Sequence, residues 1–451
     1  MFCAVQSIAL VMLAACAPPT ADLRAGFVID VLAEDNYAWS LREPDLVAMK
    51  LAKMQRDPYA WLRGTPAVYW RDLTAVGAQR PATMFGSPAA SRVLLVADPH
   101  PENLGSFRAA DGTAFVDWND FDSAGYGPYA GDLRRLAAGV IIAVGDAGNR
   151  SDLARAIATG YRDEMVALST GAAPQPTTTG AAPYLDKLLA KAIANGDAHK
   201  DLDDNAPASN GVRAFAYGDL DPVGADGVIE NRLVPPTADE LDHVTRAMAP
   251  ELAHHPELGT ITGIARRIGS GVSSYAAQRF YVLLSAERMI EVKEERDGLA
   301  IHGVPQLEAS EWSSPAVRCV DAQRRLSARS DGDELLDAGE LDPLTFKLRE
   351  PRYQRGVNAS DLAELAVDHP DQLLPLVTVF GGMLARAHGA ANTADGVLGW
   401  TVIAPLIAGA GDGFADEITA FATADAAQLM ADWAALHDRD LATLVLPAVR
   451  E

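Results

Sequence analysis

The chain has 451 residues, of which 61 are acidic and 38 basic, for a formal net charge of −23. That excess of acid excludes a duplex-binding surface, so no nucleic-acid partner is expected. The 49% hydrophobic content supports a sizeable core, and three cysteines (Cys3, Cys16 and Cys319) exclude a disulfide framework or a Cys-rich zinc site.

At the N-terminus, Ile8 to Cys16 reads I-A-L-V-M-L-A-A-C, a short apolar run ending in small residues. It is too short for a membrane span and has the form of a signal peptide. Leu13-Ala14-Ala15-Cys16 resembles the lipobox of bacterial lipoproteins. That resemblance implies lipidation of Cys16 and a place in the bacterial cell envelope. With Ala17 after the cysteine, the outer membrane, facing the periplasm, is the implied address. Residues 1–16 are then the signal, and 17–45 a tether and N-terminal extension.

Apolar residues three and four apart predict helix from Leu46 to Val76, interrupted at Pro58 and Pro66. Arg92 to Ala97 and Ala114 to Trp118 read as short strands. Helices are predicted over Asp132 to Val144, Ser151 to Leu168, Tyr184 to Asn195 and Thr237 to Ala249, the last with Thr237 as N-cap. Gly171 to Gly180 reads as a loop, and Asp201 to Glu230 as irregular. Strands then return at Ile264 to Ile268, Phe280 to Ser285, Met289 to Lys293 and Leu344 to Arg349. Ala316 to Arg329, Leu373 to His388 and Ala426 to Leu444 complete the helices.

The chemistry concentrates in Val93 to Ala137, which holds D-P-H-P-E-N (Asp98 to Asn103), V-D-W-N-D-F-D (Val116 to Asp122) and Gly131-Asp132-Leu133. Phosphoryl transfer needs a carboxylate near the acceptor hydroxyl and oxygen ligands for Mg²⁺. Asp98 with His100 is the catalytic candidate. Asn103, Asp117 and Asp120 are the metal candidates, with Asp122 adding charge. The stretch resembles the catalytic loop and metal aspartate of aminoglycoside-phosphotransferase and choline-kinase-like enzymes. By that resemblance Asp132 is structural and holds the loop backbone. Val96-Ala97 stands where that family has His-Gly.

A kinase also needs a Gly-rich loop and a strand lysine. Both lie downstream. Gly269, Ser270, Gly271 and Ser273 form the loop candidate, and the strand ending I-E-V-K supplies Lys293, with Asp321 as the helix acid expected to hold it. Phe346-Lys347-Leu348 resembles the hinge strand, and L-A-R-A-H (Leu384 to His388) the end of the helix before a catalytic loop. The order also resembles an uncharacterised bacterial family, domain of unknown function 2252. Its segments correspond here to Trp61-Leu62-Arg63-Gly64, Asp98 to Gly105, Asn119 to Asp122 and Lys293-Glu294-Glu295.

The expectation is therefore an α+β, protein-kinase-like two-lobed fold in circularly permuted order. A mostly helical large lobe is divided between 46–255 and 351–451, with a small antiparallel-sheet lobe at 256–350. The resemblance implies Mg²⁺ and ATP as cofactors and an acceptor of unknown identity. Nucleotidyl transfer, or ligand binding without catalysis, stands as the alternative. No second histidine accompanies His100 for a metal hydrolase, and no G-x-S-x-G elbow is present.

Overall fold

A computed structural model describes residues 21–74, 80–196, 200–218, 226–298, 311–333, 335–341, 343–351 and 355–447. The lipobox and Cys16 lie outside these residues. The elements in chain order begin with α1 (Ala21–Arg42), α2 (Pro44–Gln55), α3 (Pro58–Gly64) and α4 (Pro66–Thr74). The prolines that interrupt the helical pattern open new helices, because the first helical position needs no N–H donor. Next come β1 (Val93–Leu95), β2 (Leu104–Arg108), β3 (Ala114–Trp118), β4 (Gly125–Gly127), α5 (Tyr129–Val144), α6 (Arg150–Ser169) and α7 (Pro183–Gly196). Then follow α8 (Lys200–Asn205), β5 (Ala208–Ser209), β6 (Val212–Arg213), β7 (Arg232–Val234), α9 (Ala238–His254), β8 (Ile261–Ile268), β9 (Arg279–Leu284) and β10 (Arg288–Glu295). The chain ends with α10 (Pro315–Leu326), β11 (Asp337–Leu341), β12 (Leu344–Arg349), α11 (Ala359–Asp368), α12 (Pro370–Ala390), α13 (Gly399–Ile407), α14 (Gly413–Leu436) and α15 (Leu441–Val445).

The fold is α+β, with two main cores. The larger is helical and gathers α1–α7 and α11–α15 around β1 and β4. The smaller lies under a six-stranded sheet in the order β11-β12-β10-β9-β8-β7, in which every pairing is antiparallel. The sheet body begins at β7 and includes α9, so it starts earlier than the expected boundary at 256. Thr237 caps α9 with a reciprocal capping box to Glu240.

Alternation along the strands gives this sheet two unlike faces. Phe280, Val282, Leu284, Ile290, Val292, Phe346 and Leu348 point one way and pack on Val244, Ala247 and Met248 of α9. Arg279 and Tyr281, Glu291, Lys293 and Glu295, and Lys347 and Arg349 occupy the alternate positions of β9, β10 and β12. Lys293 is directly opposite both Arg279 and Lys347. This polar face is buried rather than solvated: Glu291 is fully enclosed and accepts from Arg279 (2.8 Å) and Arg349 (2.6 Å).

In the helical core, α6 and α12 cross at contact distance through glycines. A Cβ at Gly160 would strike the Thr378 carbonyl oxygen, and one at Gly381 the Ile157 carbonyl oxygen. Among the described residues α12 is the one helix long and apolar enough to cross a membrane, and 67% of its apolar window is buried inside the fold. Helix α1 joins the ends of the chain: the Arg24 guanidinium donates to Asp72 (2.6 and 2.7 Å) and to Asp432 (2.9 and 2.6 Å).

Gly381→Ala should destabilise the protein by about 2–3 kcal/mol or more, because the added methyl meets backbone that cannot rotate away. Gly409→Ala, where a Cβ meets nothing, should stay within about 0.5 kcal/mol of wild type. Urea unfolding of the two variants checks both.

Candidate functional site

The loop after β1 is built around an unusual backbone. Ala97 has φ 66°, the left-handed region that disfavours a side chain by roughly 1 kcal/mol or more. Both of its peptide groups are held. The Ala97 N–H donates to Asp132 Oδ1 and Oδ2 (3.1 Å each), and its carbonyl accepts from Trp70 Nε1 (2.7 Å). Asp132, from the first turn of α5, also meets His388 Nε2 at 3.1 Å, and the other ring nitrogen of His388 meets the Tyr161 hydroxyl at 2.9 Å. All three side chains are fully buried. The loop conformation is thus set jointly by α4, α5, α6 and α12.

Beyond this bend, Asp98 faces Arg135 of α5. Both guanidinium contacts, at 2.7 and 2.5 Å, fall on Oδ1. Burial pushes the Asp98 carboxyl up to about 6, against the opposing pull of Arg135. Asn103 closes the loop by donating from Nδ2 to the Asp98 carbonyl (2.9 Å), which turns its amide oxygen the other way. His100 is directed into the large core: it is 2% exposed, its Nδ1 lies 3.4 Å from the Tyr59 hydroxyl, and burial holds its pKa well below the ordinary range. In that position the ring meets Tyr59 edge-on beneath the loop. Arg63 pairs with Glu102 at 2.5 Å.

The β2–β3 hairpin brings Asp117 opposite Gly105. Asp117 does not join the other acids. Its Oδ1 accepts from the Trp118 N–H (2.8 Å) and its Oδ2 from the Ala328 N–H (2.7 Å), so it ties the hairpin to the segment after α10. Burial pushes it up to about 6, and the cation that opposes this is Arg386, not Lys293. Each of its oxygens thus accepts one backbone amide, so Asp117, expected as a metal ligand, serves here as the tie between the hairpin and that segment.

Asp120 and Asp122, on the loop after β3, are the acids that meet the sheet. Lys293 Nζ contacts Asp122 Oδ2 directly and lies 3.7 Å from Asp120 Oδ1 and 3.7 Å from Glu295 Oε1. Lys347 stands 3.5 Å from Asp122 Oδ1, 3.6 Å from Glu295 Oε1 and 3.4 Å from Cys319 Sγ of α10. Burial opposes ionisation throughout this cluster. Lys293 and Lys347 nonetheless hold Asp122 well below the usual carboxylate range, while Asp120, lying beside Asp122, is raised. Burial, and then the charge of Asp122, push Glu295 up to about 7. Asp120 is also close enough to raise Asp98, so the loop acid and the sheet lysine belong to one electrostatic field. Arg318 of α10 fastens the arrangement by donating to the carbonyls of Asp122 (2.8 Å), Ala124 (2.6 Å) and Arg296 (2.6 Å).

One expected contact is corrected. Asp321 does not hold Lys293; it accepts from Trp312 Nε1 (2.8 Å) and Arg325 (3.0 Å), and the acid on the lysine is Asp122. The Gly269-Ser270-Gly271 loop does link β8 and β9, with φ 81° and 76° at its glycines, but it is pinned. Arg279 donates to Ser270 Oγ (3.2 Å) and Ser274 Oγ (3.3 Å), while Val272, Tyr275 and Ala276 are buried with the large core. Ser273 is half-buried.

The profile of the family described as "Uncharacterized protein conserved in bacteria (DUF2252)" matches residues 42–439. The chain belongs to that family. No curated protein and no solved structure matches it. In this family member Asp120, Asp122 and Lys293 meet, Asp98 lies within the field of Asp120, and Asn103 bonds the Asp98 carbonyl, whereas Asp117, His100 and Asp321 are engaged elsewhere. Glu295, Lys347 and Arg135 were missed in the sequence. The signal was present: Glu291, Lys293 and Glu295 recur every second residue on one strand, and Lys347 and Arg349 on another, as two complementary stripes.

Lys293→Met should cost about 3 kcal/mol, since it leaves Asp122 and Glu295 short of a cation in a buried setting. Combined with Asp122→Asn it should cost less than the sum of the single changes by about 1–3 kcal/mol, measured by denaturant unfolding in a double-mutant cycle. Asp117 carries a pH signature. Its folded pKa of about 6 exceeds the unfolded value, so its contribution is fully present below about pH 4 and is lost as pH rises through about 6. Asp117→Asn should flatten the fall of Tm across that window, removing a term of about 3 kcal/mol at most.

Proposed function

We propose that the chain is a kinase-like phosphotransferase that handles Mg-ATP in a circularly permuted fold. The observation that carries this reading is the meeting of Lys293, on β10, with Asp120 and Asp122, on the loop that follows the Asp98–Asn103 turn. The sheet order supports it. Hairpin β8–β9 with its Gly-rich turn, lysine strand β10, helix α10 and strand β12 follow one another as the expected kinase order does, and the catalytic turn comes earlier in the chain.

The side chains fit the implied cofactors. Asp120, Asp122 and the Asn103 amide oxygen are hard donors of the kind Mg²⁺ prefers, and Asp122 Oδ1 is buried without a hydrogen bond. Lys293 and Lys347 offer the positive charge that phosphate oxygens require, and release of Asp122 to a metal would free both. ATP would supply the transferable phosphoryl group, and Mg²⁺ would offset its charge. Asp98 Oδ2, which takes neither Arg135 contact, is positioned to accept from a hydroxyl, and Arg135 fixes the carboxylate that does so. Arg135 is therefore a positioning residue.

The pinned Gly-Ser loop favours a second reading, in which the same scaffold binds a ligand without catalysis. Anchoring through a lipidated Cys16 in the cell envelope belongs to either proposal.

Calorimetric titration of the full chain with ATP, with and without Mg²⁺, tests the first. Binding is expected only with Mg²⁺ and is expected to vanish in Asp120→Ala and in Lys293→Ala. Asp321→Ala should keep the affinity within about threefold, as a change remote from the cluster. A folded wild-type chain that ignores millimolar Mg-ATP would sink the kinase reading.

A further inference from the structure

On the apolar side of the sheet, away from the lysine cluster, α9 ends on the edge strand β11. Glu251 and His254 lie three residues apart on the last turn of α9, so they share a face of the helix. Asp337, the first residue of β11, completes a group in which one donor atom from each side chain lies within 4.8 Å of the other two. Glu251 is only 2% exposed, yet neither of its carboxylate oxygens has a hydrogen-bond partner. The nearest basic atom is His255 Nε2, at 3.6 Å from Oε1, and the other nitrogen of that ring faces Glu257 at 2.9 Å.

A buried carboxylate facing a second carboxylate with no donor between them is costly unless something positive lies in the gap. Burial, and then the Asp337 carboxylate, push Glu251 up to about 7. The free carbonyls at the C-terminus of α9 add further negative potential at the same place. Arg324 of α10 is near, but its NH2 group donates to the Leu336 carbonyl at 2.5 Å. A histidine nitrogen with two carboxylate oxygens is a ligand set for zinc and neighbouring divalent ions, held at about 2.0–2.2 Å. Tetrahedral donors around one such ion stand about 3.3–3.6 Å apart, so closure from 4.8 Å or less needs a movement of roughly 1 Å at most at each donor. His254, exposed at the helix end, is free to supply that movement.

We propose that Glu251, His254 and Asp337 form a site for a zinc-type divalent ion that pins the end of α9 to the edge strand of the sheet. The three side chains leave a coordination position for water. The site shares no residue with the lysine cluster, so it stands or falls separately from the proposed phosphotransfer.

The test uses untagged, chelator-treated full-length protein titrated with Co²⁺ as a spectroscopic probe and with Zn²⁺ by calorimetry. One equivalent of each ion is expected, with visible cobalt bands and a metal-dependent rise in Tm. His254→Ala should abolish the bands and weaken Zn²⁺ binding at least tenfold, and Glu251→Gln should do the same, while Glu257→Gln leaves both unchanged. His254 is exposed, so its variant keeps the fold testable. Equal binding by wild type and His254→Ala overturns the proposal. A thiolate-to-cobalt charge-transfer band also overturns it, by assigning the ion to a cysteine. So does the absence of binding, which would leave Glu251 and Asp337 sharing a proton instead.

Discussion

The structure turns on a set of charges that water does not reach freely. Lys293 and Lys347 approach from adjacent strands, Asp120 and Asp122 from a loop of the helical body, and Glu295 from the strand that carries Lys293. Taking any one of these groups out of water alone would cost several kcal/mol, and only the mutual arrangement offsets it. The sheet can therefore present a polar face inward only because the Asp120–Asp122 loop lies against it, and the charge of Asp122 is tolerated there because the sheet supplies Lys293 and Lys347. Arg318 reinforces this dependence through three backbone carbonyls. The two cores are held together by electrostatics where the Asp120–Asp122 loop meets the sheet.

The Asp98–Asn103 turn is fixed by a different mechanism. Ala97 is kept in a backbone region that suits glycine because Asp132 and Trp70 satisfy its amide and carbonyl. Asp132 is in turn oriented by His388, and His388 by Tyr161. Four segments of sequence thus converge on the two peptide groups that flank Ala97. The direction of the Asp98 side chain is then a property of the helical core, with Arg135 as its last adjustment.

Local signals in the sequence were legible where one segment carries its own instructions. Thr237 with Glu240 announces the start of α9, prolines announce α3 and α4, and alternation announces β9, β10 and β12. The Asp98–Asn103 turn was readable for the same reason, since its residues contact one another. Partner choice was not readable. Whether Lys293 meets Asp321, twenty-eight residues on, or Asp122, far upstream, depends on how two bodies dock. Asp117 and Asp120 are equally acidic and three residues apart, yet the strand pleat sends Asp117 to backbone amides while Asp120 reaches the lysine. The strands β4 (Gly-Tyr-Gly) and β11 (Asp-Ala-Gly-Glu-Leu) were missed because glycine, aspartate, glutamate and alanine are poor strand formers.

The pairing of Arg24 with Asp72 and Asp432 has a consequence for how the molecule is made. Its first described helix is completed by an acid on α14, and Gln55 of α2 donates to the carbonyls of Leu436, His437 and Arg439. In a chain emerging vectorially from the ribosome, α1 and α2 are made well before α14, since Arg24 and Asp432 are 408 residues apart. Contacts of such sequence separation are slow to form, and domains complete as units. The face of α1 that meets α14 therefore stays uncovered until α14 has been made, so this closing contact belongs to a late stage of folding.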